Sequence, residues 1–383
     1  MNRIAEISKQ AITAIYAVLC LIKAGQMTAI MAIILLLFMP DRIALAADQD
    51  QIGQRSRSFL PILMYDSDIG LGFGIKSVWK NYLRCQESSD LLVFSSTKGE
   101  QDYALSFSFP DDEIRQGRIY PLAFDARIEY DKVLKSNFFG FGNGSENNEF
   151  QFPRESFSLW LAVSRALDKA IAIGINSRYA HYTAYGYNLD WQTINAVTPG
   201  AGRIDFITLK AFIHYDTRNS ILNPNGGLKA ELSIERELPV INTDYDFTKF
   251  RYEIGFYHKI ISPAHILASR FWIQHVAGRA PYQELSKIGD SWTARGYKAD
   301  RFLDKAMALI SIEYRFPIYK KLGGVTFVDD GRVWPGMDKF CLKDWHSDFG
   351  IGLRLYLKNF VARLDIGHSH ESTRIFFNFD QVF

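Results

Sequence analysis

The segment 290–302, DSWTARGYKADRF, carries residues whose types and spacing could do chemistry. Its cationic side chains are Arg295, Lys298 and Arg301. In Arg295-Gly296-Tyr297 the guanidinium could bind a fixed, buried carboxylate through two parallel hydrogen bonds. The same tripeptide is also typical of an exposed loop tip with solvated charges. The elements on either side of it must decide between these two interpretations.

Other candidate sites are weaker. The two histidines of GHSHES, His368 and His370, lack the further ligands that a metal site needs, so we interpret them as part of a solvated loop. The glycine-rich stretch 140–148 is not followed by a strand-to-helix crossover, which argues against phosphate binding. The sequence contains no G-x-S-x-G nucleophile elbow. We therefore expect no catalytic residue, no cofactor and no metal site.

The first 46 residues are typical of a secretory signal peptide. Basic residues precede an apolar core at 29–39, AIMAIILLLFM, and Ala44 and Ala46 form an A-x-A cleavage site. We predict a signal peptide at 1–46 that is cleaved after Ala46. An uncleaved membrane anchor and a start at Met27 are the alternatives.

Composition excludes several classes of protein. Residues 1–46 contain four of the 44 basic and two of the 42 acidic residues, which leaves 40 of each in the mature chain. A formally neutral chain has no basic footprint for nucleic acid. Two cysteines remain, Cys85 and Cys341, which is too few for a disulfide scaffold, and their pairing is left open. After the signal peptide no run of about 18 apolar residues indicates a transmembrane helix.

Strict alternation of apolar and polar residues recurs along the rest of the chain. In DFGIGLRLYLK the apolar residues share one face: Phe349, Ile351, Leu353, Leu355 and Leu357. This period of two predicts β-strands. If the apolar faces meet lipid, Leu353→Arg near the bilayer midplane should cost about 2–4 kcal/mol, and Gly352→Ser on the other face much less.

The strands favour a membrane barrel over a soluble sandwich. They run about 9–13 residues, near the length that crosses a bilayer and above the soluble mode of about 5–6. The last strand, RIFFNFDQVF, has an apolar face made of Ile375, Phe377, Phe379 and Phe383. As an open edge it would invite aggregation, whereas in a barrel it pairs with the first strand. We predict an all-β, transmembrane antiparallel β-barrel as a single domain at 57–383, after a short periplasmic segment at 47–56.

We predict sixteen strands, with fourteen as the alternative, because single-chain bacterial barrels normally have an even number. Fifteen follow from the alternation, and 57–65 or a split of 69–80 supplies the sixteenth. The fifteen lie near 69–80, 91–99, 101–109, 119–131, 153–166, 171–186, 206–218, 227–238, 247–262, 264–276, 305–318, 322–334, 348–358, 360–368 and 374–383.

Several segments, in their order and spacing, resemble the barrel domain of the outer-membrane assembly and secretion superfamily that includes BamA, TamA and two-partner-secretion transporters. The segments are HYDTRNSILNPNGGLKAEL at 214–232, LSKIGDSWTARGYKADRF at 285–302, ISIEYRFPIY at 310–319 and VTFVDDGRVW at 325–334. The resemblance covers most of residues 57–383. It implies a location in the outer membrane, in contact with its lipid. It also implies biogenesis by the outer-membrane assembly machinery, which reads an aromatic end such as Phe377, Phe379 and Phe383.

The resemblance also implies roles for the loop residues. In this family the loop folds back into the barrel, and its arginine pairs with acids on the wall strands. The matching positions are Arg295, Glu313 and Asp329, with Gly296 and Tyr297 against the wall. The alternation of 306–316 agrees, because it puts Glu313 on the lumen face. The face of Asp329 is left open, and Asp330 on the opposite face is an alternative partner.

Two functions follow from the resemblance. One is insertion or translocation of client polypeptides through a weak seam between the first and last strands, aided by separate periplasmic proteins. The other is a structural or passive-pore barrel that keeps the loop and handles no client. The alternative stays open because the POTRA repeats that receive clients in the assembly factors have no counterpart in the expected segment 47–56.

Overall fold

The computed structural model describes residues 55–186, 191–192, 195, 198–241, 244–357 and 360–383. Within them, sixteen strands form one closed antiparallel barrel, so the predicted fold and strand number are confirmed. The sixteenth strand is the one expected near 57–65. The predicted signal peptide and its cleavage residues, Ala44 and Ala46, lie outside the described residues. No helix in the described part of the chain is long and apolar enough to cross a membrane.

Two short strands besides the sixteen, Ser286–Ile288 and Phe302–Asp304, form a separate sheet. Helical elements among the described residues include α1 (Asp112–Arg115) and 3-10 turns at Tyr282–Glu284 and Met337–Lys339. In chain order the strands are β1 Ser56–Asp66, β2 Gly70–Lys80, β3 Ser88–Ser96, β4 Gln101–Phe109, β5 Ala123–Phe138, β6 Phe150–Ala166, β7 Ile171–Ala184, β8 Arg203–Asp216, β9 Gly227–Leu238, β10 Asp246–Lys259, β11 Ile266–Arg279, β12 Ser286–Ile288, β13 Phe302–Asp304, β14 Ala306–Tyr319, β15 Leu322–Trp334, β16 His346–Tyr356, β17 Val361–His368 and β18 Thr373–Phe379.

The alternation of the sequence becomes the two faces of the barrel wall. In β16, Phe349 and Ile351 are each 61% exposed on the outer face, whereas Arg354 is fully buried on the inner face. In β14, Ile312 points outward and Glu313 is buried inside. Exposed apolar side chains on this scale indicate a surface that lipid covers. The predicted faces of these two strands are confirmed.

The two ends of the barrel differ in their connections. The connections after β1, β3, β5, β7, β9, β11, β15 and β17 lie at one end, and they include the long ones at 185–202 and 280–305. The other end carries mostly shorter turns, such as 320–321 and 167–170. In transmembrane barrels the periplasmic turns are short and the extracellular loops longer. We therefore call these the extracellular and the periplasmic end.

One strand is longer than its alternation predicts. β5 ends at Phe138, not at 131, and its last residue pairs with Phe150 of β6. A β-bulge between Val133 and Ser136 shifts the register. A bulge adds an unpaired residue and so breaks the period of two, which hides the continuation of the strand from a sequence reading.

The pairing of the two cysteines can now be decided. Cys85 lies in the turn 81–87 at the periplasmic end, and Cys341 lies in the loop 335–345 at the extracellular end. Both thiols are free. A disulfide requires Cα atoms within about 7 Å, which the height of the wall between the two ends forbids.

Candidate functional site: the lumen loop and the barrel seam

The connection between β11 and β14, residues 280–305, folds back into the barrel; we call it the lumen loop. Its two limbs pair through β12 and β13 to form a hairpin. Near its turn, Gly289 has φ +107°, and a side chain there would lie 2.2 Å from the carbonyl oxygen of Lys298, so the position requires glycine. An apolar cluster of loop and wall residues holds the hairpin inside: Ile288, Ala294, Tyr297, Phe302, Met307 and Val333.

Arg295 connects this loop to the wall and is fully buried. Its Nε and Nη2 donate to the two carboxylate oxygens of Asp329 at 2.7 and 3.0 Å, and its Nη1 donates to Glu313 at 2.6 Å. Nη1 also lies 3.5 Å from Asp365. The guanidinium carbon lies 3.4 Å from the ring centroid of Phe327. Bidentate pairing and the ring face together satisfy a charge that burial would otherwise make costly.

These contacts belong to a larger buried ion network whose members are at most 1% exposed: Arg295, Arg315, Arg354, Arg363, Glu313, Asp329 and Asp365. Glu313 also accepts a hydrogen bond from Nε of Arg315 at 2.8 Å. Asp365 also accepts from Arg363 at 3.1 Å. In the described part of the chain, however, the ion pair of Asp329 is with Arg295 alone. The charge of Asp329 therefore depends on the lumen loop.

The two residues after the arginine bring the loop backbone against the wall. A side chain at Gly296 would place its Cβ 2.5 Å from the Cβ of Asp348 and 2.9 Å from the carbonyl carbon of His368. Glycine is therefore required for the approach. Tyr297 is fully buried, and its hydroxyl donates to the carbonyl oxygen of Ser347 at 3.2 Å.

The structure brings the sequence-predicted residues Arg295, Glu313 and Asp329 into one contact group. Asp330 does not join it; its carboxylate accepts a hydrogen bond from the Ser347 hydroxyl at 2.8 Å. The face of Asp329 was ambiguous because apolar residues precede it on the same side of β15. Those residues, Val325 and Phe327, are buried on the inner face, and the guanidinium of Arg295 in the lumen loop lies against the ring of Phe327.

Sequence reasoning did not identify the rest of the network. The alternation of β16 and β17 puts Arg354, Arg363 and Asp365 on inner faces, which was the available signal. The expectation that Gly352 tolerates serine is contradicted by the packing of these groups. A Cβ there would lie 2.1 Å from a carboxylate oxygen of Asp365 and 2.9 Å from the carbonyl oxygen of Leu364.

A second buried ionic contact ties the first limb of the lumen loop to another part of the wall. Glu284 is 3% exposed and accepts from Arg178 at 3.0 and 2.7 Å. It also accepts from Lys249 at 2.5 Å and from the Tyr182 hydroxyl at 3.0 Å. Here the loop supplies the acid and the wall the bases, the reverse of Arg295. The lumen loop is therefore anchored to β7 and β10 as well as to β14, β15 and β17.

The barrel closes through a short ladder between β1 and β18, which we call the seam. Its residue pairs are Tyr65 with Phe377 and Asp66 with Phe376. On its other side β1 pairs with β2 along its whole length. The stretch Ser58–Met64 pairs with no residue of β18 among the described residues. Every second residue there directs its backbone groups away from β2, and in lipid each unpaired group costs several kcal/mol.

The residues that follow β18 turn into the barrel. Asp380 has a φ of +66°, in the left-handed region, where the chain leaves the strand. The carbonyl oxygen of Phe383 accepts from Arg315 at 3.3 Å, and its ring centroid lies 5.5 Å from that guanidinium. The prediction that Phe383 shares an outer face with Phe377 and Phe379 is therefore wrong. The turn ends the alternation before it reaches that residue.

Comparisons with known proteins agree with this architecture. The Omp85 superfamily domain matches residues 90–379. BamA from Haemophilus ducreyi lacking POTRA domains 1-3 is similar at 15% identity and a TM-score of 0.61, over 85% of this chain and 70% of that one. CdiB from Escherichia coli is similar at 11% and 0.59, over 83% and 61% of the two chains. CdiB from Acinetobacter baumannii is similar at 12% and 0.54, over 84% and 59%. No curated protein matches the sequence.

Proposed function

The chain belongs to the Omp85 superfamily of bacterial outer-membrane β-barrels, and we propose that it helps polypeptides to insert into the outer membrane or to cross it. The resemblance inferred from the sequence motifs is thereby confirmed. The proposal that this chain inserts or translocates polypeptides goes further than its membership of the family. It rests on the chemistry of the seam and on the way in which the lumen loop fills the barrel.

The seam carries the proposal. The edge of β1 from Ser58 to Met64, which pairs with no residue of β18 among the described residues, offers backbone donors and acceptors to an incoming strand. A client strand that adds to this edge gains main-chain hydrogen bonds and removes groups that are costly to leave unpaired in lipid. The other strand pairs of the wall have longer ladders, so the seam is where a client would enter the barrel wall.

The remaining predicted residues take supporting roles in this proposal. Arg295 and its acids, with Gly296 and Tyr297, hold the lumen loop inside the barrel while the seam is closed. The aromatic residues Phe377 and Phe379, with Phe383, form the signal that the outer-membrane assembly machinery reads during biogenesis. Outer-membrane lipid, client polypeptides and separate periplasmic proteins are the partners that this function requires.

A reversible cross-link of the seam tests the function. In a background without native cysteines, Tyr65→Cys and Phe377→Cys lie on directly opposed residues, whose Cα spacing of about 4.5–5.5 Å suits a disulfide. The matched control ties the same strand to its other neighbour through Leu63→Cys and Phe73→Cys. Each oxidised protein in liposomes is mixed with an unfolded eight-stranded outer-membrane barrel, and the rate of client insertion is measured.

We expect the seam cross-link to abolish the acceleration of insertion, reduction to restore it, and the control cross-link to leave it unchanged. Full activity with the seam closed would overturn the mechanism. A protein that conducts ions in planar bilayers but never accelerates client insertion would instead favour the passive-pore alternative. Conductance that is indifferent to the seam cross-link would agree with that result.

A further inference from the structure

The lumen loop contacts both sides of the seam from within the barrel. The carbonyl oxygen of Gly296 accepts from the hydroxyls of Ser369 and Ser372 at 2.8 and 2.7 Å, in the turn between β17 and β18. Three residues further on, the backbone N–H of Ala299 donates to a carboxylate oxygen of Asp68 at 3.1 Å, in the turn between β1 and β2. A short stretch of loop thus bridges the two turns that flank the seam.

Asp68 is where these contacts meet. Its carboxylate accepts the loop N–H and also forms an ion pair with Arg374, the second residue of β18. The side chains of Asp68 and Arg374 are 15% and 10% exposed. Beside them the hydroxyl of Ser67 donates to the carbonyl oxygen of Ile375 at 3.2 Å and accepts from its N–H at 3.0 Å. The extracellular end of the seam is therefore held by side chains of the β1–β2 turn as well as by the ladder.

A further link joins the loop to the β18 side. Arg301 of the lumen loop is 3% exposed and donates through Nε and Nη2 to both oxygens of Glu371, each at 2.7 Å. Glu371 lies in the same β17–β18 turn as the serines that bind Gly296. A two-bond charged pair of this kind restricts the turn strongly. The β18 side of the seam is thus fixed to the loop at several points, and among the described residues the β1 side is fixed to it through Asp68.

We propose that Asp68 couples the lumen loop to the seam, so that neither the release of the loop nor the opening of the seam occurs independently of the other. If the seam opens, Arg374 moves away from Asp68 and the Asp68–Ala299 contact is strained. If the loop leaves the barrel lumen, Asp68 loses its hydrogen bond from the Ala299 N–H, and Glu371 loses its ion pair with Arg301. Such a linkage is reciprocal by thermodynamic necessity. This linkage would regulate the opening of the seam, and its biological meaning rests on the function proposed above.

Hydrogen–deuterium exchange on the full-length protein in lipid nanodiscs tests the coupling. Asp68→Ala removes both contacts, whereas Asp68→Asn keeps an oxygen for the Ala299 N–H and loses the charge that faces Arg374. Arg295→Ala perturbs the other partner of the coupling, because it weakens the attachment of the lumen loop to the wall. Asp338→Ala is the control, because that carboxylate is 73% exposed in the loop 335–345.

We expect exchange in both β18 and the lumen loop to accelerate by at least about fivefold in Asp68→Ala, the lower end for coupled sites. Asp68→Asn should show the same pattern with a smaller change, and it keeps the test available if the alanine variant does not fold. Arg295→Ala should accelerate exchange in β1 and β18, and the control should change neither segment. Any other pattern, including a change in one segment alone or none, overturns the coupling.

The exchange measurement contains no client polypeptide, so its outcome is separate from that of the proposed function. If the exchange pattern shows no coupling but the seam cross-link still blocks client insertion, only the role of Asp68 is rejected. If the exchange pattern shows coupling but the seam cross-link does not change the rate of client insertion, only the use of the seam for insertion is rejected.

Discussion

Removal of the Arg295 side chain should destabilise the barrel by an amount that depends on which carboxylate loses its cation. Glu313 keeps Arg315, with Nε at 2.8 Å, and Asp365 keeps Arg363 at 3.1 Å. Asp329 keeps no ion-pair partner among the described residues. Breaking a buried ion pair from one side costs about 3–5 kcal/mol, since it leaves an uncompensated charge. We expect Arg295→Ala to lower the free energy of unfolding by that amount, with most of the cost at Asp329.

A second substitution distinguishes whether Asp329 or Glu313 depends on Arg295 for its counter-charge. Asp329→Asn removes the stranded charge, so Arg295→Ala with Asp329→Asn should recover about 1–3 kcal/mol relative to the sum of the single changes. Glu313→Gln in place of Asp329→Asn should recover less, because it leaves Arg315 without its carboxylate. Arg295→Lys should not substitute for arginine, because an ammonium group cannot make the bidentate contact.

Urea titration of the refolded protein in liposomes measures these differences, and the heat-modifiable mobility of the barrel gives an independent readout. The expected order of stability is wild type, then the Asp329 double variant, then the Glu313 double variant. Strictly additive effects in both pairs, or better recovery with Glu313→Gln, would refute the view that Asp329 depends on Arg295 for its charge. Equal stability of Arg295→Lys and wild type would refute the importance of the bidentate geometry.

Three more predictions address the lipid face, the free thiol and the mature terminus. Leu353→Arg should cost about 2–4 kcal/mol in the same titration if the residue lies at mid-bilayer, whereas Leu342→Arg, at a position 77% exposed in a loop, should cost within about 0.5 kcal/mol; equal costs would contradict the assigned lipid face. Burial, and then the Glu87 carboxylate, raise the pKa of the Cys85 thiol to about 11. Its alkylation, measured without the second cysteine, should therefore rise roughly tenfold per pH unit up to about pH 11, and a plateau near pH 9 would count against this. N-terminal sequencing of membrane-extracted protein should show cleavage after Ala46, and retention of the apolar core would disprove it.

Much of the fold follows from local patterns that need no partner. The period of two in β14 and β16 determined the strands and which residues share a face, because side chains of a strand alternate whatever lies beside it. Strand length and the lack of a later apolar helix indicated a bilayer crossing by strands. The same pattern placed Glu313 on the face opposite to the apolar residues of β14. The pairing of Glu313 and Asp329 with Arg295 was suggested only by resemblance to a family.

Tertiary structure decided which groups meet. Partners across a barrel depend on strand register and on closure, which are set by pairing between segments far apart in sequence. The contacts of Glu284 with Arg178 and of Asp68 with Arg374 have no local signal for this reason. The bulge in β5 and the turn at Asp380 interrupt alternation, so they were visible only in the folded chain.

The sequence by itself thus determined that the chain forms strands long enough to cross a membrane, and which residues of β14 and β16 share a face, because these features depend on neighbours along the chain. Only the tertiary structure decided that the seam is short, that the lumen loop is anchored to several parts of the wall, and that Asp329 depends on a single cation. Each of these is a property of closure. Closing a wall of sixteen strands brings together residues whose separation in sequence carries no information about their distance in space.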